Sequence, residues 1–348
     1  MIPVIDMHAD TISMIEYNLK NEGKKAALKK NDMHIDLFKL KEAGYMCQSF
    51  ALFTELDEIR KRKIMPFDFA NELLDLFDAE FKENEDLIRP IKKAVDIENN
   101  FKDGLISALI SVEEGAVYEG SVEKLKKLYD RGVRKTTLTW NYENELAFPN
   151  KSIYSEKYKS NVCEGFDLEN GLKKAGFEII EVCEELGIII DISHLNDAGI
   201  KDIFKTVKKS TPVIASHSNA RGITMHPRNL SDEMIKEIAD HGGVAGINFM
   251  YEFITSLDKK DYEDKGPKEL VTKIDDICAH LKYIKNKGGS DILAFGSDFD
   301  GIENAIEFEN SSGMQRIADG MKKEGFTSSE IEKTFYKNAL RVYKTVLK

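Results

Sequence analysis

Asp6-Met7-His8-Ala9-Asp10 follows directly on the apolar run 2–5. Alternate side chains of a strand share a face, so His8 and Asp10 project together from the end of a buried strand. An imidazole and a carboxylate so placed are half of a divalent metal site. Other apolar runs end in the same way: 107–112 leads into Glu113-Glu114, 188–192 into Ser193-His194, 213–216 into His217, and 292–296 into Ser297-Asp298-Phe299-Asp300-Gly301. The expected fourth strand, from Lys135, closes in Trp140-Asn141. One His-x-Asp is ordinary at a surface strand end. Three of the seven histidines at strand exits, with Asp10, Glu113 and Asp298 at equivalent exits, point to one shared cation site.

Three imidazoles and two carboxylates are too many for a single tetrahedral zinc that must keep an open position. They suit two ions sharing a bridging carboxylate. Glu113 is the best bridge, since each of its oxygens can reach one ion. His8 and Asp10 take the first ion, His194 and His217 the second. Paired ions ~3.5–4 Å apart hold a water between them, lower its pKa and polarise a carbonyl oxygen. The nitrogen and oxygen donors favour Zn²⁺ ahead of Mn²⁺ or Co²⁺. His34, His226, His241 and His280 fall in loops or helices and are read as surface residues, with a reservation for His226 because it neighbours Arg228.

The elements that must position these residues are short apolar strands alternating with longer segments of helical period. The strands are 2–6, 46–53, 105–112, 135–139, 187–192, 212–216, 243–248 and 291–296. Most are β-branched or apolar throughout, as in parallel strands covered on both faces. Helices are expected over 67–83, from Ser121 to Gly132, over 168–186, over 196–207 with Asn196 as cap, from Ser231, over 268–287 and over 327–347. Thr327 with Glu330 forms a capping box. Eight strands with intervening helices predict a (β/α)8 TIM barrel of the metal-dependent hydrolase type, one domain over 1–348 with loop insertions. The alternative, a doubly wound open sheet, lacks a glycine-rich loop after its first strand. The polar, aromatic stretch 141–167 is expected to form a loop over the strand ends.

The chain has 348 residues, 42% hydrophobic and 32% charged, enough apolar material for a sizeable core. A net charge of −11 without a long basic run disfavours nucleic acid, because phosphate neutralisation needs clustered Lys and Arg. The lysine-rich stretch 20–30 reads as a solvated loop or short helix. Cys47, Cys163, Cys183 and Cys278 lack zinc-ribbon or thioredoxin spacing and read as buried free thiols. No run approaches the ~20 apolar residues of a membrane helix, and His8 stands too near the start for a secretory leader. The expectation is a cytoplasmic protein with no membrane or nucleic-acid partner, with a homodimer left open.

Taken in order, these segments resemble the membrane (renal) dipeptidase family of the amidohydrolase superfamily, over almost the whole chain. Asp6-Met7-His8-Ala9-Asp10-Thr11 resembles the family's opening motif and Ser111-Val112-Glu113-Glu114-Gly115 its bridging-glutamate segment. Asp191-Ile192-Ser193-His194 and Ser216-His217-Ser218 are similar to its later histidine segments, and Arg228-Asn229-Leu230-Ser231-Asp232 and Gly296-Ser297-Asp298-Phe299-Asp300-Gly301 complete the match. The resemblance implies a dinuclear zinc peptidase for dipeptides, sometimes with a D-residue at the C-terminal position, in which a hydroxide bridging the metals attacks the peptide carbonyl. It implies that Arg228 receives the substrate's free carboxylate, chemically apt because a guanidinium fork matches a carboxylate. Asp298 would contact the water or the substrate amine and pass a proton to the leaving nitrogen.

One position departs from the family. Its animal members carry a histidine, held to bind the oxyanion or substrate, where Leu138-Thr139-Trp140-Asn141 ends the fourth strand. Trp140, the chain's single tryptophan, can donate one hydrogen bond but cannot take up a proton. Trp140 and Asn141 are therefore candidate substrate contacts. Two rival functions remain open: a hydrolase acting on another small amide, lactone or ester, and a metal-binding homologue without turnover.

Overall fold

The computed structural model describes residues 1–21, 23, 27–155, 160–255 and 265–347. Each of the eight apolar runs forms a strand: β1 (Val4–Ala9), β2 (Tyr45–Phe53), β3 (Ile106–Glu113), β4 (Val133–Thr137), β5 (Ile189–Asp191), β6 (Val213–Ile214), β7 (Ala245–Ile247) and β8 (Leu293–Phe295). They pair in parallel in the order β7-β8-β1-β2-β3-β4-β5-β6. A bridge between Ala215, just past β6, and Ala245, at the start of β7, closes the ring. The result is a (β/α)8 barrel. Its strands are buried along nearly their whole length, which is why most of the runs read as β-branched or apolar.

Two glycines let the closing strands approach. A Cβ on Gly246 would lie 2.0 Å from the Ser216 carbonyl oxygen, and one on Gly296 would lie 1.7 Å from the same atom. No side chain fits there, so the exits of β6, β7 and β8 pack backbone to backbone beside His217.

The helices wrap the ring by burying one face each. Pro66–Glu83 buries Phe69, Leu73, Phe77 and Phe81, and the Phe77 ring meets Phe50 of β2 edge-on at 5.8 Å. Emptying a site such as Phe77 typically costs ~3–5 kcal/mol. Caps stand where the sequence places them: Ser121 accepts from the Lys124 N–H, Asn196 from Gly199 and Thr327 from Glu330. The last helix, Asn338–Val346, lays Tyr343 and Val342 in one apolar cluster with Ile5, Cys47, Ile189, Ile214 and Ala294. It closes the end of the barrel where the strands begin, leaving the other end for chemistry.

Several expectations need correction. The helix expected over 168–186 starts at Lys174, because Asp167 folds the preceding residues into a turn by accepting from the Glu169 and Asn170 N–H groups. The helix expected from 268 starts at Ile274, since Val271–Thr272 pairs with Ala305–Ile306. The stretch 141–167 contains an antiparallel hairpin, Lys151–Ser155 against Ser160–Gly165. Residues 22 and 24–26 of the lysine-rich stretch lie outside the described residues. The four cysteines are unpaired, and Cys163 is only half-buried.

His241 and His280 are not surface residues. The His280 Nδ1 accepts from the Ala220 N–H and its Nε2–H donates to Ile254 O, both at 3.0 Å, and burial pushes its pKa down to about 4. The buried His241 ring packs on Phe204 at 4.9 Å. His34 and His226 are half-buried.

Candidate metal centre

The strand exits converge. His8 ends in β1 with Asp10 just beyond; Glu113 is the last residue of β3; His194, His217 and Asp298 follow β5, β6 and β8. Glu113 divides its carboxylate: Oε2 lies 3.0 Å from His8 Nε2, and Oε1 lies 3.0 Å from His194 Nε2 and 3.5 Å from His217 Nε2. His8 Nε2 is also 3.6 Å from Asp10 Oδ2 and 3.7 Å from Asp298 Oδ1. The Nε2 atoms of His194 and His217 face each other at 2.9 Å.

These atoms fit cations better than they fit one another. His8 Nε2, Asp10 Oδ1 and Glu113 Oε2 are buried without a hydrogen-bond partner. Each such group costs ~1–3 kcal/mol if nothing satisfies it. Burial, with Glu113 beside it, raises the Asp10 pKa well above the ordinary carboxylate range. Burial and the Arg228 charge hold His194 neutral, its pKa pushed down to about 4. Two sets of three residues each bring one ligand atom apiece within 4.8 Å of the others: His8, Glu113 and His217, and His8, Asp10 and Asp298.

The backbone is bent to bring them together. His194 and Asp298 have φ of 69° and 61°, in the left-handed region, a conformation that L-residues seldom adopt and that collects at functional sites. Two buried aspartates hold the bends. Asp6 accepts from the His8 and Ser297 N–H groups and from the Ser297 hydroxyl at 2.6 Å. Asp191 Oδ1 accepts from the Ser193 N–H at 3.0 Å and the Ser216 N–H at 2.9 Å. Both lie inside the motifs, and nothing in the sequence beyond their place ahead of the histidines marks them. Lys135 was also missed: buried in β4, it donates to Met7 O and lies 3.8 Å from Asp191 Oδ2. A charged residue within a segment read as a barrel strand is its only signal.

Arg228 is 4% exposed. Its two terminal nitrogens donate to Ser218 Oγ and His217 O, each at 3.3 Å, while Nε has no hydrogen-bond partner. Among the described residues no carboxylate pairs with it. The Asp298 side chain does not cap the following turn: Oδ2 accepts from Asn248 Nδ2 at 2.9 Å and Oδ1 faces His8. A Cβ on Gly301 would lie 2.1 Å from Asp10 Oδ2 and 2.6 Å from Asp298 Oδ1, so these two carboxylates need a glycine there.

Trp140 is half-buried against Phe53 at 5.0 Å and 6.0 Å from the His194 ring. Asn141 is buried, with Oδ1 3.3 Å from His194 Nδ1. His217 Nδ1 meets the Ser216 hydroxyl at 2.7 Å.

A parallel barrel with imidazoles and carboxylates gathered at its strand exits defines a metal-dependent hydrolase of the amidohydrolase fold. The chain belongs to the membrane dipeptidase family, peptidase family M19, whose family model matches residues 1–348. An uncharacterized dipeptidase of Schizosaccharomyces pombe is 28% identical over 354 residues, 98% of this chain and 80% of its own. An uncharacterized protein in a pqqA 5′ region of Klebsiella pneumoniae is 31% identical over 264 residues, 74% of this chain and 89% of its own. Among solved structures, a metallopeptidase from Rhodobacter sphaeroides, liganded with a phosphinate mimic of the dipeptide L-Ala-D-Ala, shares the fold with a TM-score of 0.84 at 20% identity, covering 99% of each chain. The chain is thus a metallo-dipeptidase by family. No helix among the described residues is long and apolar enough to cross a membrane.

Proposed function

We propose that this protein hydrolyses the peptide bond of dipeptides with two zinc ions. His8 and Asp10 hold one, His194 and His217 the other, and Glu113 bridges them. The observation that carries this reading is the division of the Glu113 carboxylate, one oxygen toward His8 and the other toward His194 and His217. When bound, such ions polarise a carbonyl oxygen and make water acidic enough to attack at neutral pH.

The chain's own residues do the rest. Arg228 receives the substrate's terminal carboxylate, for its buried charge has no carboxylate of its own among the described residues. That selects short substrates, because a longer peptide would put an amide where the guanidinium needs an anion. Asp298, 3.7 Å from His8 Nε2, takes the proton released by the attacking water and passes it to the leaving nitrogen, so the peptide C–N bond breaks to a free amine and a free acid. Trp140 walls the site beside His194 and cannot exchange a proton. The R. sphaeroides protein's L-Ala-D-Ala mimic supports testing a D-residue at the C-terminal position.

Elemental analysis joined to a screen of L-L and L-D dipeptides tests the reading. Two equivalents of zinc and turnover of at least one dipeptide class are expected. Fewer than two ions per chain, or turnover only of lactones or esters, would overturn it. Mn²⁺- and Co²⁺-loaded protein in the same screen ranks the metals.

A further inference from the structure

We propose that Asn141 is a positioning residue for His194 and not a substrate contact: its side-chain oxygen holds the His194 Nδ1 proton and so turns the Nε2 lone pair toward the second metal position. The inference rests on His194 being a ligand.

A neutral imidazole carries one N–H, and the partner of one nitrogen decides which nitrogen keeps it. His194 Nε2 faces Glu113 Oε1 at 3.0 Å and His217 Nε2 at 2.9 Å, whereas Nδ1 faces only the Asn141 side chain, at 3.3 Å, among its hydrogen-bond contacts. If the amide presented its NH₂ there, the proton would move to Nε2 and block coordination. A second contact fixes the amide. The Cys163 Sγ lies 3.4 Å from the same Asn141 oxygen. Burial pushes that thiol up to about 11, so it stays protonated and donates. Two donors converge on one atom, as suits a carbonyl oxygen and not an NH₂ group.

Asn141 is also held from behind. Glu114, next to the bridging Glu113, accepts from the Trp140 N–H at 2.9 Å and from the Ala116 N–H at 2.8 Å. The Ser152 hydroxyl donates to Asn141 O at 2.8 Å. The other histidines differ: His217 uses its own neighbour, Ser216, and His8 Nδ1 has no hydrogen-bond partner. Only His194 among the three is oriented by a loop from another strand. The hairpin residues Ser152 and Cys163 thereby reach the second metal position through Asn141.

Metal-free wild type, Asn141→Ala, Asn141→Asp and Cys163→Ala are titrated with Co²⁺, following the visible spectrum and competition with a chelator. kcat and KM for one dipeptide are measured in parallel. Asn141→Ala is expected to bind the first ion as wild type does and the second about 10- to 100-fold more weakly, with a changed spectrum for that ion. Asn141→Asp keeps a carboxylate oxygen on Nδ1–H and is expected to bind the second ion at least as tightly as wild type; weaker binding overturns the proposal even if Asn141→Ala does not fold. Cys163→Ala is expected to lose less than Asn141→Ala. Wild-type affinity and spectrum for both ions in Asn141→Ala, with a raised KM, would make Asn141 a substrate contact and overturn the proposal. A wild type that binds fewer than two ions overturns the metal reading itself, a result visible before any variant is compared.

Discussion

Replacing Arg228 by Met tests how the site measures its substrate. The side-chain volume is nearly kept, so Phe253, whose ring the guanidinium faces at 5.4 Å, keeps an apolar neighbour. What goes is the charge. Removing one member of a buried, hydrogen-bonded charge pair costs about 2–5 kcal/mol. At 1.36 kcal/mol per tenfold, kcat/KM for a dipeptide should fall about 30- to 5,000-fold. The loss should sit in KM, because the terminal carboxylate does not change charge during the reaction and binds ground and transition states alike. Arg228→Lys keeps a charge without the fork and should fall between the two. The assay compares a dipeptide with its C-terminal amide in wild type and variant. Wild type should discriminate strongly; Arg228→Met should cleave both with similar kcat/KM. Discrimination against the amide that survives in Arg228→Met refutes the assignment. Misfolding is a poor explanation of any loss, since removing an unpaired buried cation should not lower the melting temperature, and that is measured on the same samples.

Gly301→Ala forces a methyl group against Asp10 and Asp298, and the affinity for the ion held by His8 and Asp10 should drop about 10- to 100-fold; wild-type metal content after dialysis would contradict this. Metal removal should lower the melting temperature in scanning calorimetry, because each ion at a thousandfold excess over its Kd adds about 4 kcal/mol of stability, and equal traces with and without chelator would refute cation binding here. His280 gives a pH effect. Its folded pKa of about 4 lies below the ordinary 6.5, so the unfolded chain binds more protons between those values. Its contribution is present above pH 6.5 and is lost as pH falls toward 4, by up to about 3 kcal/mol. Denaturant curves for His280→Gln should therefore decline less steeply than wild type over that interval; parallel curves would exclude the effect.

The barrel was legible because most of its strands are β-branched or apolar and several of their exits carry a histidine or a carboxylate. The helix starts at Lys174 and Ile274 were not: the Asp167 side chain folds the residues before the first into a turn, and pairing with the distant 305–306 draws those before the second into a bridge. His280 sits on a helical face and His241 at a helix C-terminus, both with neighbours from distant segments, and a helix wheel alone cannot say that a histidine points inward. The same limit hid the part proposed for Asn141. Its partners, His194 and Cys163, are 53 and 22 positions away, and no spacing rule links them.

Asp6 and Asp191 show why the ligand motifs are longer than the ligands. Each precedes a histidine by two or three residues, and each accepts backbone N–H groups from its own exit and from the exit of the neighbouring strand, Ser297 for Asp6 and Ser216 for Asp191. One carboxylate thus ties β1 to β8 and the other ties β5 to β6. The bends that turn His194 and Asp298 into the left-handed region cost energy, and these hydrogen bonds, charge-assisted and buried, offset it. Lys135 sits between the two pairs, donating to Met7 O and facing Asp191. It places a positive charge beneath a site that otherwise gathers Asp10, Glu113 and Asp298 within a few ångströms of His8. Four strand exits of the site, those of β1, β5, β6 and β8, are therefore fixed by groups outside the proposed ligand set. Under the proposed reading such a site holds its ligands oriented before metal arrives, so binding does not have to order them, and the two aspartates that do the ordering belong to the same short motifs as the proposed ligands.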